Sequence, residues 1–434
     1  TIFACNFLSK TTPEAEPVET EPAATSTSPA EEEVIPELPS PTPAPPTPTR
    51  EMPSAEPLLK ISYTDDGNVW LIVGDRPPSQ LTNNGDAYRV VISSDGTRIA
   101  YLRKPVPDGM SELSLISHDG GGESILLSTD DMQALYPSTS EVTGFEIRQM
   151  EFLPGSHDLL FNTYKVFESF GYIETDDLMN IDTDTGELTH IFQPDRGGQF
   201  LISPDGNRIA IIRPDSISLA RSDGSNMIPD LLTYVPVLTY SEFQYYAQPV
   251  WSSNSNALGV AIPSDEPLGE NPFGIIWRIP GGRESPVRMG TIMGDFYFSQ
   301  VFSTSTLSPN LERVAFLRPS GTSEIRDLYL ANADGSGETL YATGAIDWRG
   351  WCPDGEHFVF SLTDLSNLQL GVDGGTSIPL VEGVDFEWIN ETEYVYLTGS
   401  AGAWTIMKGE IGESPTALVS PSGEFTTFDF TKGS

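Results

Sequence analysis

Four histidines, two cysteines and a few acidic pairs are the residues of this 434-residue chain that could hold a metal or move a proton. His157 and His357 fall in equivalent turns of separate repeat units, His118 in another turn and His190 in an outer strand. That scatter predicts solvated turn histidines, with neither a metal cluster nor an acid–base pair. Cys5 sits at the extreme N-terminus and Cys352 in a repeat turn, which excludes a thiol framework for zinc and makes a disulfide an odd design. Asp182 and Asp184 in DTDTG resemble the start of a calcium loop, but the remaining oxygen ligands and a trailing Glu are missing, so a plain turn is expected. Ser400 in GSAG lacks the strand-to-helix setting of a nucleophile elbow. No catalytic residue, metal or cofactor is expected, and the chain is read as not an enzyme.

The elements that would carry such residues are short β-branched and aromatic runs between Gly, Asp, Asn and Ser turns, beginning near Leu58. One unit recurs: a strand, a Ser-Pro-Asp-Gly turn and a second apolar strand, clearest in ISPDGNRIAIIR at 202–213. It returns in residues 92–103, 152–163, 251–262, 307–318 and 352–362, and in degenerate form as WINETEYVYL at 388–397. A third strand, a turn such as SHDGGG or NADGSG, and a short fourth strand follow. Four strands repeated in this way predict an all-β fold, a β-propeller of four-stranded blades that bury their faces against one another.

Residues 58–82 supply the second, third and fourth strands of a blade without a first, and residues 424–430 supply a lone strand after the last unit. Pairing of these N- and C-terminal strands predicts eight blades, with residues 424–430 against 58–64 and Phe425, Phe428 or Phe430 buried. Seven is the alternative if the degenerate unit is not a true blade.

These motifs resemble TolB-like, WD-type propeller repeats over residues 58–430. The resemblance implies architecture rather than activity, because propellers host binding modules, scaffolds and enzymes alike. Propellers of prolyl-oligopeptidase type carry a hydrolase domain, which is not expected in the few residues after Phe430, and the Asp-Gly turns lack the aromatic of sialidase Asp-box repeats.

In a propeller the first strand of each blade lines the axis. The position five residues before the motif proline or its equivalent reads Arg89, Gln149, Gln199, Gln248, Thr304, Trp348 and Asp385, a mostly polar ring suited to a polar ligand, a peptide or ordered water. Tyr245, Tyr246, Phe296 and Tyr297 precede first strands and would suit protein or glycan recognition, or blade packing. Trp251, Trp351 and Trp388 are expected in the core. The favoured reading is an extracytoplasmic, surface-tethered binding or scaffold protein, a monomer that engages a protein, peptide or glycan partner. The alternative is a divergent carbohydrate-active enzyme with Asp385 or Glu387 in the axial funnel.

A formal charge of −39, from 62 acidic and 23 basic residues, repels phosphate backbones and excludes nucleic acid as a partner. Residues 1–10 read as a signal remnant in which Phe3, Ala4 and Cys5 resemble a bacterial lipoprotein cleavage site, so Cys5 is the expected lipid attachment. Residues 11–57, with 13 prolines and 10 glutamates, cannot bury enough apolar surface to fold and are expected to form a disordered stalk below the propeller of residues 58–434. Extended polyproline geometry would give that stalk a reach of up to ~150 Å. A lipid-anchored protein of the bacterial envelope, or a secreted one if Cys5 is unmodified, is the implied location.

Overall fold

The computed structural model describes residues 58–137, 142–168, 175–238, 244–267, 269–293, 305–320, 322–362 and 366–432. Cys5 and the expected stalk lie outside the described residues.

The repeated turn owes its form to one hydroxyl. In Ser-Pro-Asp-Gly the Ser203 Oγ donates to Asp205 Oδ1 at 2.6 Å and accepts the Arg208 N–H, five residues on, at 3.0 Å. Ser93, Ser252 and Ser308 do the same toward Arg98, Ala257 and Arg313, each at 3.0 Å. All four serines are buried, so their hydroxyls satisfy backbone donors that water cannot reach. The fourth motif position must be left-handed: Gly206 has φ 70°, and where Gly is replaced the backbone still turns the same way, at 59° in Ser255 and 60° in Leu311. For Leu311 that conformation costs on the order of 1 kcal/mol. Cys352 occupies the serine position of its own unit, with its Sγ 3.3 Å from the Glu391 carbonyl.

These turns join strands into eight antiparallel sheets, seven with four strands and one with three plus an isolated bridge, Leu307 to Val314. We number the blades along the chain. Blade 1 runs outward from Phe428–Thr431 through Lys60–Asp65 and Asn68–Val73 to Ser79–Gln80. The inner strands of blades 2, 3 and 4 are Ala87–Ile92, Val142–Phe152 and Gln199–Ile202. Those of blades 5, 7 and 8 are Val250–Trp251, Ile346–Trp351 and Val384–Trp388, and blade 6 begins at the Leu307 bridge.

Closure follows the expected pairing, shifted by a few residues. Lys60 pairs with Thr431, Ile61 with Phe430 and Tyr63 with Phe428, and the Thr64 N–H donates to the Thr427 carbonyl at 2.9 Å. Phe428 is buried and Phe430 half-buried, whereas Phe425 is 77% exposed, because pairing begins only after the turn that contains it. The eight-blade count holds, and the degenerate unit at 384–419 is a complete blade.

Middle strands show why the sequence alternates so little. Arg98–Arg103 and His357–Leu362 bury four consecutive residues, and Ala257–Pro263 buries all seven, because neighbouring blades cover both faces of each sheet. One apolar cluster fills each seam; between blades 2 and 3 it joins Leu102 and Leu113 to Ile147, Phe152 and Phe161. Each such side chain contributes about 1.5–3 kcal/mol. The indole N–H groups of Trp251 and Trp351 donate to the Leu201 and Thr306 carbonyls of the preceding blade, as their core placement requires. One element was not anticipated, the helix Thr129–Ala134, which starts at a Ser128–Asp131 capping box and buries Met132 in that same seam.

Candidate functional site

Backbone irregularities in the inner strands build the axial site. The pairing of first and second strands slips between Ala87 and Arg89, Ile147 and Gln149, Trp348 and Gly350, and Val384 and Glu387. An extra residue in one strand bends it and re-aims the side chains that follow. The slips fall at the ring positions read from the motif, so the ring does not form as one set.

Gln149 is turned into a seam: its Nε2 donates to the Phe200 carbonyl at 2.7 Å and its Oε1 accepts the Phe200 N–H at 3.2 Å. Trp348 is buried, with its indole N–H on the Ser305 carbonyl at 3.0 Å. Tyr246 is buried too, and its hydroxyl accepts the Thr175 N–H at 3.2 Å. The expectation that Trp348 and Tyr246 present exposed contact surface is corrected accordingly: an aromatic beside an inner strand fills the gap to the next blade. Gln199, Tyr245 and Gln248 are half-buried, Gln248 donating to the Tyr246 carbonyl at 3.1 Å. Thr304, Phe296 and Tyr297 lie outside the described residues.

Arg89 is brought into a polar site. A cavity of about 360 Å³ between blades 8, 1 and 2 is lined by Tyr88, Arg89, Glu387, Thr427, Phe428 and Asp429, with Val90 and Val91. Asp429, on the closing strand, accepts the Ile92 N–H at 2.7 Å and the Phe430 N–H at 2.9 Å, which ties the last strand to blade 2. Arg89 donates to the Arg148 carbonyl at 2.8 Å, so it braces blade 3 as well.

Crowding decides the charge state here. Burial pushes the Asp429 carboxyl up to about 6, against the pull of its two backbone donors and of Arg89. Burial, then Asp429 and Asp385, push Glu387 up to about 8. Burial and Asp429 push Glu151, on the inner strand of blade 3, up to about 7. Glu151 and Glu387 are exposed to the channel, yet protein wall surrounds them, so their ionised forms are incompletely solvated and the upward direction stands. Burial also depresses Arg89 and takes Arg349 down to about 10, while Asp385, at a left-handed φ of 47°, is raised by burial and held back by Arg349.

Glu151 and Asp429 were missed by sequence reasoning, and Glu387 entered only as a catalytic candidate. Period-two alternation from Gln149 to Glu151 and from Asp385 to Glu387 was the available signal.

The histidines fare differently. His157, expected to be solvated, bridges Asp184 Oδ2 at 2.8 Å and Asp95 Oδ2 at 3.1 Å across the seam of blades 2 and 3, and Asp184 also takes Arg98 at 2.6 Å. The carboxylate partners raise its pKa and are themselves held low. His357 meets Asp354 at 2.6 Å in its own turn. Cys352 is buried and its thiol pushed up to about 12, which leaves it unreactive.

No family model and no curated protein matches the chain. Solved structures do. TolB from Acinetobacter baumannii is 16% identical over 64% of this chain and 61% of its own, with a TM-score of 0.29. An oligogalacturonate lyase in complex with manganese is 13% identical, over 82% and 83%, at 0.40. An acylaminoacyl peptidase of Pyrococcus horikoshii is 13% identical, over 85% and 51%, at 0.42. These neighbours correct the expectation that the chain is not an enzyme: that expectation rested on missing sequence motifs, and the neighbours include propeller enzymes. No helix among the described residues is long and apolar enough to cross a membrane. The chain is an eight-bladed β-propeller, with TolB among the solved structures similar to it.

Proposed function

We propose that this propeller is an extracytoplasmic binding protein, tethered through Cys5, that holds a polar group of a protein, peptide or glycan partner at the axial cavity. The observation that carries this reading is the cavity's grouping of one guanidinium, Arg89, with one carboxyl that is mostly protonated near pH 7, Glu387, and one that is mostly ionised, Asp429. Such a wall both donates and accepts hydrogen bonds, as recognition of a polar ligand demands. The −39 charge turns nucleic acid away.

The test is comparative. The native chain and an Arg89→Ala, Glu387→Gln double variant are immobilised and exposed to the same envelope extract. A partner held by the native chain and lost by the variant supports the axial site; identical captured sets overturn it. Mass spectrometry of the native N-terminus tests the tether, which fails if Cys5 is present and unmodified.

A second reading has one observation in its favour: Glu387 near 8 and Asp429 near 6, on one cavity, stay in different protonation states over a pH range, as acid and base partners must. It predicts depolymerisation of some polysaccharide by the native chain and none by Glu387→Gln.

A further inference from the structure

Repeat equivalence exposes an irregularity away from the axis. At the start of their second strands, blades 2, 4 and 6 carry Arg98, Arg208 and Arg313, paired across the sheet with Ser117, Arg221 and Asn332. In blades 2 and 6 the guanidinium crosses the seam to a carboxylate in the outer turn of the next blade: Arg98 to Asp184 at 2.6 Å and Arg313 to Asp373 at 2.8 Å. The second contact is neutral in both, Ser117 Oγ at 3.0 Å and Asn332 Oδ1 at 2.6 Å.

The seam between blades 4 and 5 lacks the carboxylate. The outer turn facing Arg208 runs Pro280, Gly281, Gly282, Arg283, and strand pairing puts Pro280 where blade 7 has Val372, so Gly281 stands in the place of Asp373. The neutral partner is replaced as well, by Arg221. Arg208, Arg221 and Arg283 therefore converge on a cavity of about 200 Å³ that also takes in Asn226 and the backbone of Gly281 and Gly282.

None of the three makes an ion pair among the described residues, whereas Arg98, Arg103, Arg313 and Arg318 all do. Arg208 reaches only the Ser255 carbonyl, at 2.8 Å. Three acids lie close: Asp205 and Asp223 feel the Arg208 and Arg221 charges but accept the Asn207 and Ser225 N–H groups at 3.1 and 2.8 Å, and the Glu284 carboxylate folds over Gly282. The missing side chain keeps the space open, because a Cβ on Gly281 would lie 2.5 Å from Arg208 Nη1. In a chain with 23 basic residues against 62 acidic ones, three guanidinium groups without an ion pair among the described residues make this hollow a local positive patch that draws an anion.

We propose that this seam binds an oxyanion, a carboxylate or phosphate group, in place of the carboxylate that the equivalent seams build in. Planar guanidinium forks match both groups through paired, charge-assisted hydrogen bonds. The site is separate from the axial cavity, and its test does not depend on the function proposed above.

Calorimetry and thermal unfolding of the full chain, with inorganic phosphate and with acetate against chloride at equal ionic strength, provide the test. At least one oxyanion should bind and raise the unfolding midpoint, a preference for phosphate assigning a phosphoryl ligand and one for acetate a carboxylate. Arg221→Gln with Arg283→Gln should weaken binding at least about tenfold. Arg76→Gln, an exposed residue of blade 1, should leave it unchanged. Gly281→Asp, which puts a carboxylate where blade 7 has Asp373 and fills the hollow beside Arg208, should abolish the anion effect. No binding beyond chloride, or equal binding by the Arg221/Arg283 variant, overturns the proposal.

Discussion

The axis and the rim use the same residue types to opposite effect. On the rim, Asp95 and Asp184 are exposed, surrounded by donors from Thr97, Arg98 and His157, and held well below the usual carboxylate range. At the axis, Glu151, Glu387 and Asp429 face one another across a crowded channel and are pushed up. Neighbours and solvation, not residue type, decide which carboxyls are charged. The rim clusters hold blades together, whereas the axial cluster opposes them whenever it ionises, which is the strain expected of a binding site.

Removing residues 424–434 is the most severe way to break this comparison. It deletes Asp429 and the closing strand together, leaving Lys60–Asp65 an open edge and uncovering the seam that Phe428 and Phe430 fill. The unfolding midpoint should fall by at least about 5 °C, with self-association through the free edge visible in gel filtration. An unchanged midpoint in a monomer would mean that closure contributes nothing.

The axial half of the contrast is sharpened by Glu387→Gln. Because the folded pKa is raised, to about 8, the folded state holds the proton more tightly than the unfolded chain. Native stability is therefore full below the ordinary carboxyl range near 4.5 and falls as pH rises toward about 8. The neutral variant escapes that loss: its midpoint should match the native one at pH 5 and exceed it by about 2 °C at pH 8. An advantage that does not grow with pH would remove the axial strain argument.

Asp429→Asn asks whether the axial carboxyls sense one another. Asp429 is a cause of the upward shift at both Glu387 and Glu151, so both should titrate lower in the variant, by carboxyl-resolved NMR. Unmoved titrations would show burial acting alone.

His157→Ala should have the smallest effect, on the rim. A raised histidine pKa stabilises below the unfolded value near 6.5 and is lost as pH rises through the folded value, while Asp95 and Asp184 fail only in acid. The variant should lose about 1 °C at pH 6 and almost nothing at pH 9. A loss independent of pH would reduce the cluster to packing.

The amino-acid sequence by itself determined the blades and their closure, because the signals are local. A serine hydroxyl that accepts an N–H five residues on, and a glycine where φ must be positive, specify each turn wherever they occur, and a strand without a partner at each end of the repeat array implies one blade made from both. The axial site was only half legible. Arg89 and Asp385 were found by counting back from the turn, but the slips near residues 88, 148, 349 and 385 reverse which side chains face the channel, and a slip depends on how the neighbouring blade packs. Gln149 and Trp348 pack into seams, whereas Glu151, Glu387 and, on the closing strand, Asp429 stand at the axis. The arginine seam shows the same division: each arginine is plain in its own repeat, and only the ring, by setting blade 5 against blade 4, brings three of them together without a carboxylate.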